Sequence, residues 1–182
     1  MTGKKYGIIK NVFTNKQLEE WKNIYQKGKI TKTLDGDSCW GIDKKSVLHK
    51  WFVKTVMPVI GNTFKKDAKL IFSSFIDLTV PLKTHTDIKP LPAGENGKHY
   101  VSILIPYSVN NEKQNIGVAS TMFYNEDYNL IEKVNWQENA LIWWHSEMLH
   151  NSGDFKEALK IWTPLAEGGL SNAQYNVGLM HH

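Results

Sequence analysis

Leu141–Gly153 reads LIWWHSEMLHNSG. Together with Asn139-Ala140 before it, the first half is an apolar, aromatic run that reads as a core strand ending near His145. The second half turns polar and presents His150 just past the strand.

The partner for that imidazole lies upstream, in His85-Thr86-Asp87, with His150 standing 63 positions after Asp87. On an extended segment residues i and i+2 point to the same side, so His85 and Asp87 aim at one point. Taken alone, a His-x-Asp triplet is common and is ordinarily two polar loop residues. Here it follows a two-faced apolar stretch, in which Leu70, Phe72, Ser74 and Ile76 alternate with Ile71, Ser73 and Phe75. It also sits in a series of strand-like runs: His99–Tyr107, Val118–Tyr124 and Asn139–His145. Two imidazoles and one carboxylate suit one face of an octahedral ion, leaving three positions open. Zinc, which prefers a closed tetrahedral set, fits such a triad less well than Fe(II). His145, on the strand itself, is the alternative to His150 as the third ligand.

Outward from this region the pattern changes twice. On the N-terminal side, Thr14-Asn15-Lys16-Gln17 reads as a capping box opening a helix with Leu18, Trp21, Ile24 and Tyr25 on one face. A second helix is expected from about Lys45 to Phe64, kinked at Pro58, and Lys29–Asp43 reads as a loop. Pro90–Gly97, Val109–Gly117 and Asn125–Gln137 read as turn-rich connections. Helices first and strands afterwards predict an α+β protein, with helices flanking an antiparallel sheet or barrel over residues 1–152. On the C-terminal side, residues 153–182 read as a helix hairpin. Asp154 and Glu157 open the first helix, Gly168-Gly169 end it, and Ser171-Asn172-Ala173-Gln174 reads as a capping box for the second.

The 182 residues suffice for one sizeable core with a small appendage, and 41% hydrophobic with 22% charged residues is ordinary for a soluble globular chain. No apolar run approaches the ~18 residues of a membrane span. The first residues lack the apolar core of a secretory signal, and the single Cys39 cannot form an internal disulfide. The expected compartment is therefore cytoplasmic. Charge is uneven: residues 1–69 carry 15 lysines against 6 acids, and the remainder 7 against 12. The lysines are scattered without interleaved aromatics, which reads as solvated surface rather than a nucleic-acid face. All 22 basic residues are lysine, so any side-chain cation here lacks the bidentate fork of arginine.

Tyr6–Trp21 (YGIIKNVFTNKQLEEW), His85–Asp87, Ile116–Asn125 (IGVASTMFYN) and Leu141–Gly153 together resemble the 2-oxoglutarate/Fe(II)-dependent oxygenases of the prolyl-hydroxylase-like kind, over about residues 6–155. The resemblance implies a double-stranded β-helix, or jelly roll. It implies oxidative decarboxylation of 2-oxoglutarate with O2, coupled to hydroxylation of a substrate the sequence does not identify. Its spacing selects His150 over His145, giving His85, Asp87 and His150 as the iron ligands. Two departures from the family pattern follow. The basic residue that meets the far carboxylate of 2-oxoglutarate is often an arginine on a strand after the distal histidine; here Lys160 has the nearest spacing, with Lys156 and Lys98 as alternatives and Ser102 as a further hydrogen-bonding group. Residues 153–182 resemble a single Sel1-like, tetratricopeptide-type repeat, so the last barrel strands are expected to be missing. Such a unit is stabilised by stacking on neighbours and offers a surface for a protein partner. Two rival functions follow: a catalytically inactive barrel that binds protein through its helix pair, and a cupin-like iron enzyme that does not use 2-oxoglutarate.

Overall fold

A computed structural model describes residues 4–27, 32–34, 37–40, 46–64, 69–70, 73, 75–77, 81–87, 100–106 and 119–181. In chain order the elements are β1 (Tyr6–Lys10), α1 (Asn15–Lys27), β2 (Lys32–Leu34), β3 (Asp37–Trp40), α2 (Val47–Trp51), a π-helical turn (Phe52–Val56) and α3 (Met57–Phe64). They continue with β4 (Phe75–Asp77), β5 (Val101–Leu104), β6 (Ser120–Tyr124), β7 (Leu130–Asn135), β8 (Ala140–His145), β9 (His150–Ser152), α4 (Phe155–Glu167) and α5 (Ser171–His181). The chain is α+β, its strands pair antiparallel, and it divides into two compact units: Asn11–Leu78, and Met1–Lys10 with Thr79–His182.

In the Asn11–Leu78 unit the expected capping box is formed. Thr14 Oγ1 accepts from the Gln17 amide at 3.3 Å, and Gln17 Oε1 accepts from the Thr14 amide at 2.9 Å. Helix α1 buries Trp21, which stacks on Trp51 of α2 at 5.5 Å between ring centroids, with Phe13 against both. The single helix expected from 45 to 64 is three pieces, α2, the π turn and α3. Pro58 has no amide to give to the preceding turn, and the widened turn ends just before it, where the Met57 amide reaches back to Phe52 O. The stretch read as a loop at 29–43 contains β2 and β3, a hairpin extended by β4 into a three-stranded sheet.

The other unit holds two three-stranded sheets, in order β1-β8-β5 and β7-β6-β9. Alternation on β8 sends Ile142 and Trp144 to the inner face, where they meet Phe123 of β6, Val134 of β7 and Met148. Tyr6, Ile8 and Leu104 complete the cluster from β1 and β5, so the core lies between the two sheets. The chain crosses from one sheet to the other in a tight turn, in which the Met148 amide donates to His145 O at 2.8 Å. That turn delivers β9 beside β6. The region 125–137, read as connection, contains β7, an edge strand entered through a turn where Asn125 Oδ1 accepts from the amides of Asp127 and Asn129. On the outer face of β8, the indole of Trp143 lies over Gly7, its cross-strand partner. A Cβ at Gly7 falls 2.9 Å from Trp143 Nε1. Gly7→Ala is expected to destabilise by about 1–3 kcal/mol through overpacking, read as a lower urea midpoint at unchanged slope.

Helices α4 and α5 form the expected hairpin. Asp154 accepts from the amides of Lys156 and Glu157 at 3.0 and 3.1 Å, and at the other end Gly169, with φ of 87°, closes a Schellman motif. Ala158, Trp162 and Ala173 pack together with Leu159, Ala166 and Val177, all from the two helices themselves. Gln174 departs from the expected box: its side-chain amide donates to Ala166 O at 3.2 Å. Lys133 of β7 reaches Asp154 at 3.2 Å and ties the hairpin to the sheet. Partial burial works against the Asp154 carboxylate, but the amides of Glu157 and Lys156 and the Lys133 ammonium hold its pKa below the ordinary value. Its contribution is thus present above the ordinary carboxylate range and lost as pH falls through the lowered pKa. Asp154→Ala is expected to cost about 1 kcal/mol at neutral pH and less in acid, as urea melts at the two pH values would show.

Candidate metal centre

His85 and Asp87 sit on a segment that runs beside β9. The amides and carbonyls of His85 and His150 bond reciprocally, His85 N–H to His150 O at 2.9 Å and His150 N–H to His85 O at 3.0 Å. Leu82 N–H to Ser152 O at 2.8 Å and Asp87 N–H to Ser146 O at 3.0 Å extend the pairing on either side. Backbone pairing thus brings together side chains far apart in sequence. Asp87 Oδ1 lies 3.7 Å from His85 Nε2 and 3.5 Å from His150 Nε2, and the three prospective donor atoms all lie within 4.8 Å of one another.

The remaining ring nitrogens are committed elsewhere. His85 Nδ1 is 2.6 Å from Lys83 O and His150 Nδ1 is 2.9 Å from Met148 O, so each Nδ1 carries the proton and donates to a carbonyl. That tautomer leaves both Nε2 lone pairs facing Asp87. The carboxylate is itself fixed: Trp144 Nε1 donates to Asp87 Oδ2 at 2.9 Å, which frees Oδ1 toward the imidazoles. Ser102, cross-strand partner of Trp144, also hydrogen-bonds the carboxylate and lies 2.7 Å from Ser146 Oγ.

Electrostatics agree with this arrangement at His150 and Asp87, and at His85 they favour the protonated ring. Burial pushes the His150 pKa down, further than the Asp87 charge pulls it up. Burial works against ionisation of Asp87, but hydrogen bonding from His85, the neighbouring His150 and Ser102 hold its pKa below the ordinary value. His85, half-exposed, is raised, chiefly by its interaction with Asp87. An ionised carboxylate between two imidazoles is the donor set a divalent cation requires, and an ion bound there displaces any proton that Asp87 holds on His85 Nε2. Ligands at ~2.1 Å from an ion in cis positions are about 3 Å apart, so small side-chain rotations close the set. His85, Asp87 and His150 could thus hold a metal ion.

His145 lies elsewhere. Alternation places it on the outer face of β8 beside Trp143, at 6.4 Å between ring centroids, with Trp144 facing inward. Lys160 stands on α4 with its side chain 72% exposed and its ammonium 3.2 Å from Glu157. Among the described residues no recorded contact joins it to the triad. Lys156 is exposed as well. Lys98, His99 and the stretch Pro90–Gly97 lie outside the described residues. Ser102 does come to the triad, beside the Asp87 carboxylate and 2.7 Å from Ser146 Oγ. Trp144 and Ser146 belong to the run before His150 that carries the resemblance, and the Trp143-Trp144 pair reads from the sequence as core and pocket wall; the hydrogen bond from Trp144 to Asp87 is what the structure adds.

No protein-family model matches the chain, at residues 153–182 or elsewhere, and no curated protein matches it. Among solved structures, a prolyl-4-hydroxylase from Pseudomonas putida is similar, with a TM-score of 0.55 and 11% sequence identity, covering 83% of this chain and 85% of that one. The likeness is one of fold. No helix among the described residues is long and apolar enough to cross a membrane.

Proposed function

We propose that the chain is an Fe(II)- and 2-oxoglutarate-dependent oxygenase that hydroxylates a peptidyl side chain or a small molecule, built on an incomplete jelly roll and working in the cytoplasm. One observation carries the reading: His85, Asp87 and His150 converge with both Nδ1 atoms tied to carbonyls and Asp87 Oδ2 tied to Trp144. When bound, iron would supply O2 activation driven by decarboxylation of the co-substrate. The chain's part is to present three ligands on one side, to keep Asp87 ionised, and to shield the site with Trp144 and Phe123. The helix pair 153–182 is proposed as a Sel1-like surface for a protein partner.

A second reading is favoured by one placement. The far carboxylate of 2-oxoglutarate needs a cation, and the Lys160 ammonium is turned to Glu157 in solvent. An exposed pair of this kind is worth roughly 0–1 kcal/mol, so it does not by itself keep Lys160 from the co-substrate. The rival is nevertheless a metal-binding barrel that takes no 2-oxoglutarate, either inactive or cupin-like. Titrating 2-oxoglutarate into the anaerobic Fe(II) protein separates the two. A metal-to-ligand charge-transfer band that saturates supports the oxygenase. Bound iron without a band supports the rival, and no bound iron removes both iron readings. A band that survives Lys160→Ala places the cation elsewhere.

A further inference from the structure

A run of aromatic rings leads from the candidate metal centre to the rim of the paired sheets. His85 and His150 lie 4.5 Å apart between centroids, His150 and Trp144 4.7 Å, Trp144 and Phe123 5.9 Å, and Phe123 and Tyr6 4.6 Å. Tyr6 is also the direct cross-strand partner of Trp144 on β1 and β8. Such partners have Cα atoms about 4.5–5.5 Å apart, and Phe123 packs against both rings. At the outer end the Tyr6 hydroxyl donates to Glu132 Oε2 at 2.8 Å. Packing explains the stacked rings. It does not require an indole hydrogen-bonded to a prospective iron ligand at one end, or a phenol hydrogen-bonded to an exposed carboxylate at the other.

Tryptophan and tyrosine are the side chains of this set that give up one electron most readily. A phenol does so only when its proton leaves at the same time, because the oxidised phenol is a strong acid. The hydrogen bond to Glu132, with some burial, holds the Tyr6 pKa above its ordinary value, so at rest the phenol keeps its proton and the carboxylate stands ready to take it. We propose that Trp144 and Tyr6 form a one-electron relay that drains oxidising equivalents from the metal centre to the protein surface. The inference rests on the iron reading above. Trp144 gives one electron to an oxidant generated at the triad by Fe(II) and a peroxide, and that oxidant is reduced by one electron. Tyr6 then gives one electron to the Trp144 radical cation, which returns to neutral indole, and the phenol proton passes to Glu132 Oε2. The products are a neutral Tyr6 radical and a protonated Glu132. A small thiol or ascorbate returns a hydrogen atom to the phenoxyl oxygen, and Glu132 releases its proton to solvent. The relay gives an oxidised centre lacking substrate an outlet other than damage to its own ligands.

The test uses the full chain loaded anaerobically with Fe(II), mixed with hydrogen peroxide, freeze-quenched and read by electron paramagnetic resonance, with metal analysis of the same samples. The expected result is a tyrosyl-type signal that is lost in Tyr6→Phe and mostly lost in Glu132→Gln, with iron content and circular dichroism unchanged in both. Tyr6→Phe keeps the ring on Phe123, so the comparison does not depend on a disrupted core. Iron retained and oxidised without a tyrosyl signal overturns the relay and leaves the iron reading standing; no iron retained overturns both. A signal that persists in Tyr6→Phe also overturns the relay, since Tyr128 and Tyr175, 65% and 62% exposed, are then oxidised from solution. An undiminished signal in Glu132→Gln overturns it at its proton-accepting end.

Discussion

His85→Ala, Asp87→Ala and His150→Ala are each expected to leave the protein without Fe(II) after gel filtration, and His145→Ala is expected to leave it loaded. Losing a residue that merely orients a ligand typically costs 10–100-fold in metal affinity, so losing a ligand from a set of three is expected to cost more than about 100-fold. The three donors are not equivalent in the fold. His150 is 3% exposed and packs on Trp144, so its removal also opens a cavity, whereas the half-exposed His85 leaves little behind. Asp87→Asn keeps the carboxylate's shape and removes its charge, which separates metal loss from unfolding when circular dichroism is recorded alongside. His145 supplies the control, because its ring lies on the outer face of β8. Iron retained in His150→Ala and lost in His145→Ala would reverse the assignment.

Phe123→Ala is expected to destabilise by about 3–5 kcal/mol, a large share of the 5–15 kcal/mol that holds an ordinary domain folded. Phe123 is fully buried at the centre of β7-β6-β9, stacked on Tyr6 and tilted against Trp144. Removing the ring leaves a void between the sheets that neither β-strand can collapse into without giving up ladder bonds. The same change frees Trp144, the donor that fixes Asp87. Iron affinity is therefore expected to fall together with the urea midpoint. A stability loss with unchanged iron affinity would show that the Trp144–Asp87 bond holds without its packing.

The parts of this molecule legible in the sequence are those where one local rule dominates. β6 and β8 are apolar, aromatic runs because each is the central strand of its sheet, and α1 and α4 carry their N-terminal signals in the chain itself. The convergence of His85 and Asp87 was legible through i, i+2 geometry, whereas His150 was separated from His145 only by the spacing of the family the chain resembles. β7 was not, because Leu130 and Ile131 are exposed on an edge strand between charged neighbours, so no alternation marks it. β1 was hidden by Gly7, whose missing side chain answers to Trp143 on another strand. The hydrogen bonds that hold Asp87, from Trp144 and Ser102, depend on which strand lies beside which, and periodicity carries no information about that order.

The reciprocal hydrogen bonds between His85 and His150 also determine when during folding the site comes into being. They join two points separated by most of the unit, and closing so long a loop costs entropy that only the completed sheet repays. A chain still emerging from the ribosome has both residues of the first pair long before it has the third ligand, and it holds no more than a weak two-donor site until β9 docks beside His85. Metal capture at this site would therefore be a late event, and an ion bound there would stabilise the finished topology over every partly folded alternative.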